Sequence, residues 1–276
     1  MATKGTAKTT GVYNITNLLK EKGLAVYKEI QGCTVSTGNA PVYVFTALQN
    51  VEEKETKNAL IGCVKNGKLV AWHQKCMGHA NDCAYYDNKY YVAQGSDNTK
   101  ETKIKEYSSD LKTVTTYNYK GDLDRITYIT YMQHGYFIMG CGNHVAICRR
   151  DVKAKTFVEE TSFDLNEDSL KQKGYKKVRQ GACYADGSLY RVYSYQDSSN
   201  NIIKKNAIAE YKLNGPSPAY SGASLKNVYS CEIPGKKFFE VESIFTPDYG
   251  DHMYVSANVK DGNGTEADRI YSVSFS

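Results

Sequence analysis

One phrase returns five times along this chain in different spellings. It runs polar, polar or small, apolar, then a turn, then an aromatic-rich strand. The copies are Gln31-Gly32-Cys33-Thr34 with Val42-Tyr43-Val44, Asn81-Asp82-Cys83-Ala84-Tyr85 with Tyr90-Tyr91-Val92, and Arg125-Ile126-Thr127-Tyr128 with Tyr136-Phe137-Ile138. The last two are Gln180-Gly181-Ala182-Cys183-Tyr184 with Leu189-Tyr190-Arg191 and Glu242-Ser243-Ile244-Phe245 with Met253-Tyr254-Val255. Degenerate strand repeats at roughly 40–50 residues are the sequence mark of a β-propeller. The pattern predicts an all-β chain forming one five-bladed propeller domain over residues 1–276, with residues 1–10 as a flexible tail. Six blades is the rival count, because the intervals after Gln180 and Glu242 are long.

Alternation and turn residues divide each repeat into strands. Asp87-Asn88 is the turn of the second repeat, and Asn66-Gly67 is a hairpin turn signal because both of its residues tolerate positive φ. The last repeat supplies only three strands, 242–245, 253–258 and 269–275, while residues 11–16 form an orphan strand before the first repeat. Pairing 11–16 beside 269–275 closes the ring and removes two exposed edges. Short connecting helices are predicted at 17–22, stopped by Gly23, and at 167–173, between Asn166 and Gly174.

Tyr is heavily used, 24 residues against 8 Phe and 1 Trp. It favours strands and buries a ring while keeping a hydroxyl for a partner. Packing between blades is the plainer explanation and a stacking surface for a ligand the sharper one. The net charge of +5 is dispersed, with no basic stripe interleaved with aromatics, so nucleic-acid binding is not expected. The eight Cys form no C-x-x-C pair and no zinc spacing, and several fall at apolar positions of predicted strands. They read as reduced, buried thiols of a reducing compartment. The start carries no apolar signal segment, and no apolar run reaches the ~18 residues of a membrane span. A soluble protein made in the cytosol, with release by a non-Sec route left open, is the expectation. No cofactor and no metal is expected.

Propeller inner strands start around one mouth, so their first residues converge there. That places Gln31, Asn81, Arg125, Gln180 and Glu242 in a ring, flanked by His79, Asp82, Asp124, Arg179 and Glu240. Five polar openings either satisfy one another in a wet channel or bind a polar ligand. Candidate ligand-binding residues are Gln31, His79, Asn81, Asp82, Arg125, Arg179, Gln180 and Glu242. Glycoside hydrolysis needs two carboxyls facing each other, and Asp82, Asp124 and Glu242 are the candidates for that role. Arg125 and Arg179 offer those acids a purely structural pairing. No nucleophile motif occurs, so a non-enzymatic role is preferred.

The run Gly78-His79-Ala80-Asn81-Asp82-Cys83-Ala84-Tyr85-Tyr86-Asp87-Asn88-Lys89-Tyr90-Tyr91-Val92-Ala93, with the Gln-Gly openings at Gln31 and Gln180, resembles the helveticin J-like group of bacterial and phage proteins. The resemblance covers roughly residues 30–260 and implies a single-domain propeller and a bacteriocin-like role. It carries no catalytic residue over, and the many cysteines depart from an extracellular working environment. Three readings follow. The first is a recognition module for a polar or saccharide-type cell-envelope ligand. The others are a glycosidase-like enzyme and a protein-interaction scaffold acting on an intracellular bacterial target.

Overall fold

The computed structural model describes residues 2–49, 58–76, 78–95, 100–236, 238–247, 251–260 and 266–276. Among them the chain is almost entirely strand. β1 (Thr3–Asn14) and helix α1 (Ile15–Glu21) precede four groups of four strands. The first group is β2 (Tyr27–Val35), β3 (Tyr43–Gln49), β4 (Asn58–Lys65) and β5 (Lys68–Cys76). The second is β6 (Asp82–Tyr86), β7 (Lys89–Ala93), β8 (Ile104–Ser108) and β9 (Val114–Lys120). The third is β10 (Tyr128–Gln133), β11 (Tyr136–Cys141), β12 (His144–Asp151) and β13 (Thr156–Asp164). The fourth is β14 (Tyr175–Ala185), β15 (Ser188–Asp197), β16 (Ile203–Asn214) and β17 (Gly222–Glu232). β18 (Phe238–Phe245), β19 (Met253–Lys260) and β20 (Glu266–Phe275) end the chain.

Each group is an antiparallel meander, and two parallel pairings, β13 with β9 and β17 with β1, join groups into larger sheets. The result is two eight-stranded sheets and one of four strands, β2 to β5. The first strands β2, β6, β10, β14 and β18 touch in a closed cycle, each against the next and β18 against β2. Five apolar clusters fill the spaces between consecutive groups. Eight of the tyrosines, Tyr90, Tyr91, Tyr107, Tyr117, Tyr128, Tyr193, Tyr195 and Tyr211, are fully buried in this packing.

β1 pairs antiparallel with β20, from Ala7 opposite Phe275 to Asn14 opposite Arg269. The terminal strand therefore completes the last group, and it starts earlier than its apolar residues suggested. Residues 3–10 are not a tail. They lie between β17 and β20 with Ala7 and Thr9 buried, and the Thr9 hydroxyl donates to the Glu232 carbonyl at 2.7 Å. Thr and Lys dominate this segment, so its alternation is visible only once the two neighbouring strands show which side is inward. The Asn14 side chain caps α1 by accepting from the Asn17 N–H at 3.0 Å, and Ile15, Leu18 and Leu19 face the core. The second predicted helix shrinks to a 3₁₀ turn, Asp168–Leu170, entered through an Asn166 side-chain bond to the Asp168 N–H. Asn66-Gly67 and Asp87-Asn88 are tight turns with positive φ at both residues.

No helix among the described residues is long and apolar enough to cross a membrane. Cys33, Cys63, Cys83, Cys141, Cys148, Cys183 and Cys231 are free thiols, all buried except the half-buried Cys141. No group of three His, Cys, Asp or Glu among the described residues is placed to hold a metal ion.

Candidate functional site

The centre of the cycle is tied by one carboxyl group. Asp82 opens β6 and is 1% exposed. Its Oδ1 accepts from the Cys83 N–H at 3.0 Å, and its Oδ2 accepts from the Ile129 and Ala182 N–H groups, both at 3.3 Å. The Ser243 hydroxyl lies 3.3 Å from Oδ1, so β6, β10, β14 and β18 all meet on this side chain. Burial pushes its carboxyl up to about 8, against the pull of these donors. A neutral carboxyl also completes the bonding. Its O–H can donate to Ser243 Oγ, leaving the single Ser243 hydrogen for the Cys33 carbonyl at 3.3 Å. Gly32 and Gly181 are the glycines of the two Gln-Gly openings, and both pack against this knot. A Cβ on Gly32 would lie 2.4 Å from Asp82 Cα.

The other predicted residues are consumed in several places rather than gathered on one open ring. Gln31 is buried, and its Nε2 donates to its neighbour's carbonyl on Ile30. Asn81 Nδ2 donates to the Thr127 carbonyl at 2.7 Å, tying the entry of β6 to that of β10. The His79 N–H donates to the Gln94 carbonyl, and its ring is half-buried. Arg125 pairs with exposed Asp124 at 3.1 Å, three residues before β10 begins, and holds that carboxyl below its ordinary value. Arg179 is drawn aside to Glu167, with Nη2 2.7 Å from Oε2. Gln180 Nε2 donates to Glu240 Oε1 at 2.8 Å. Asp82 has no open side and Asp124 stands outside among Lys100 and Arg125, so these two do not face Glu242 as a hydrolytic pair.

Glu242 is buried and accepts from Asn258 Nδ2 at 2.6 Å. Burial, then Glu240, Glu29 and Asp268, push its carboxyl well above the ordinary range. The native state therefore holds a proton here that the unfolded chain releases, and stability drains away as pH rises above the ordinary value of 4.5. Glu242→Gln keeps the acceptor for Asn258 and removes the titration. Urea denaturation at pH 9 is expected to find this variant more stable than the parent, and a less stable variant contradicts the assignment.

At the other end of the same strands lies a cavity of about 310 Å³. Every first strand contributes its C-terminal end: Thr34 and Val35, Cys83 to Tyr86, Thr130 and Tyr131, Ala182 to Tyr184, Ile244 and Phe245. Tyr86 stacks on Tyr131 with centroids 4.1 Å apart and planes 16° apart, and Arg150 covers the Tyr86 ring at 5.1 Å. Phe245 stacks on Tyr254 at 5.6 Å. The Thr130 hydroxyl accepts from the Tyr184 N–H at 3.0 Å and so joins β10 to β14 beside the cavity. Asp87 and Asn88 hold the rim through their tight turn. In the sequence Tyr85, Tyr86, Tyr131 and Tyr184 read as strand tyrosines like the rest. Their shared place at the ends of equivalent strands was the available signal.

No family model and no curated protein matches the chain. Solved structures similar to it include the major Malassezia sympodialis allergen Mala s 1, with 14% identity, a TM-score of 0.49, and coverage of 89% of this chain and 78% of that one. A bifunctional GH43-CE protein of Bacteroides eggerthii has 10% identity and a TM-score of 0.50, covering 89% of this chain. The match spans 33% of that protein, and at this identity the likeness is one of fold alone.

Proposed function

We propose that the chain is a five-bladed β-propeller that recognises a polar, saccharide-type ligand in the axial cavity formed by the C-terminal ends of its first strands. The cyclic contact of β2, β6, β10, β14 and β18 supports five blades rather than six. The observation that carries the function is the convergence of all five strands on one cavity whose walls mix aromatic rings with hydroxyl and amide groups. Tyr85, Tyr86, Tyr131, Tyr184 and Phe245 offer apolar faces, while Thr34, Thr130, Thr246 and Asn88 offer hydrogen bonds. Sugar rings present the same two kinds of surface, and the volume lies in the small-ligand range. No cation lines the cavity among the described residues, and Asp87 is its one carboxylate there. Glycoside hydrolysis uses two such groups, so binding without turnover is the better reading. The resemblance to helveticin J-like proteins supports a bacterial envelope as the source of the ligand. A protein scaffold remains the second reading of the fold.

The test is a glycan array followed by calorimetry on the best ligand. Tyr131→Ala is expected to weaken binding about tenfold, the loss of one stacking contact. Gln180→Ala and Asn81→Ala, at the opposite end of the strands, are expected to leave it unchanged. Binding that fails in those two variants and survives Tyr131→Ala moves the site to the other mouth. An empty array rejects saccharide recognition.

A further inference from the structure

A second cavity, of about 340 Å³, lies beside the β13–β14 connector and is independent of the axial one. Asn143, Glu167, Asp168, Lys171, Lys177 and Arg179 line it. Lys177 and Arg179 stand two apart on β14, opposite Tyr195 and Tyr193 of β15, and so share one face of the sheet. Arg191, two residues before Tyr193, sends its side chain to that face as well. Its guanidinium covers the Tyr128 ring at 4.0 Å, and its Nε donates to the Gln180 carbonyl at 3.4 Å. Three cations thus sit together with one acid among them. Glu167 is buried and already satisfied by Lys177 Nζ at 2.6 Å, Arg179 at 2.7 Å and the Tyr193 hydroxyl at 2.8 Å.

Arg191 is left over. It is 0% exposed, and neither Nη1 nor Nη2 has a hydrogen-bond partner among the described residues. Lys171 and Asp168 neutralise each other at the rim, 2.7 Å apart. The local balance is therefore two positive charges in excess, most of it removed from water, and an uncompensated buried cation is strongly unfavourable. The same surplus acts on Lys177: burial first, with Arg179 and Arg191 in the same sense, drives its ammonium below its ordinary value despite the Glu167 bond.

We propose that this cavity binds a small oxyanion, the carboxylate or phosphate group of a soluble metabolite or sugar acid, with Arg179 and Lys177 as the main contacts, Lys171 at the entrance and Arg191 supplying the charge beneath. Glu167 shows the chemistry the cluster accepts, since an internal carboxylate already takes the Arg179 fork and the Lys177 ammonium together. The ligand anion adds the second negative charge that the three cations call for.

Thermal unfolding in inorganic phosphate and, separately, in sodium glucuronate tests this, each against sodium chloride at the same ionic strength. The intact protein is expected to melt several degrees higher in at least one of the two. Stabilisation by phosphate alone identifies a phosphate ligand, by glucuronate alone a carboxylate, and by both a general oxyanion site. Arg179→Gln is expected to weaken the effect about tenfold and Lys171→Gln, which alters an exposed side chain, about threefold. Equal melting in chloride and both anions overturns the proposal. So does an anion effect that is the same in the parent, Lys171→Gln and Arg179→Gln.

Discussion

Asp82→Ala is expected to cost about 3–5 kcal/mol of folding stability, because it strands several buried donors at once. The Cys83, Ile129 and Ala182 N–H groups all donate to this carboxyl, the Ser243 hydroxyl loses its partner with it, and no water reaches a side chain that is 1% exposed. Asp82→Asn should cost less, about 1–2 kcal/mol, since an amide keeps one acceptor oxygen but points N–H groups at one remaining donor. Urea denaturation of the three proteins at pH 4, where the parent has not yet lost stability to the titration of this carboxyl, measures both differences. The parent should also lose stability as pH rises from about 4 to about 8. Its native carboxyl keeps its proton across that window, while the unfolded one ionises at 3.8. Glu242 adds a slope of the same sign, so the Asp82 part is the slope that Asp82→Asn removes. An Asp82→Ala variant as stable as the parent would show that the strands meet without this knot.

Gly32→Ala carries the second large effect. Its Cβ would stand 2.4 Å from Asp82 Cα, 2.6 Å from Asp82 C and 2.7 Å from the Cys83 nitrogen. All three are backbone atoms, so no rotamer change relieves the contact, and β2 must move off β6. The expected loss is about 3 kcal/mol or more. Gly181, the equivalent glycine of the fourth repeat, meets its nearest atoms at 3.1 Å, so Gly181→Ala should cost only about 1 kcal/mol. The comparison is internal, since both substitutions add one methyl to the same motif. Matching denaturation midpoints for the two variants would mean that the first strands are not held as close as these distances state.

These two glycines show how far the sequence could be followed. The five-fold phrase was legible as a repeat and marked the strands of the cycle, yet the polar half of its two Gln-Gly copies looked like a binding group. The glycine is the half that matters, because it lets neighbouring strands approach the axis. Gln31 is spent on the Ile30 carbonyl and Gln180 on Glu240. Asp82 looked like a mouth residue because it opens a strand. Its partners beyond Cys83 lie 47, 100 and 161 residues further along the chain, and no local pattern records them.

Alternation of apolar and polar residues has the period of the strand itself, so strand positions, the Asn66-Gly67 and Asp87-Asn88 turns and the pairing of the first strand with the last could be taken from the chain directly. Those features depend on neighbours in sequence or on an unmatched edge. Which end of the strands opens into an aromatic cavity, and which charges are cancelled, depends on groups brought together from distant repeats. Arg191 and Glu167 carry no sequence signal, because a charge announces its burial and its partners only after the sheets have packed around it.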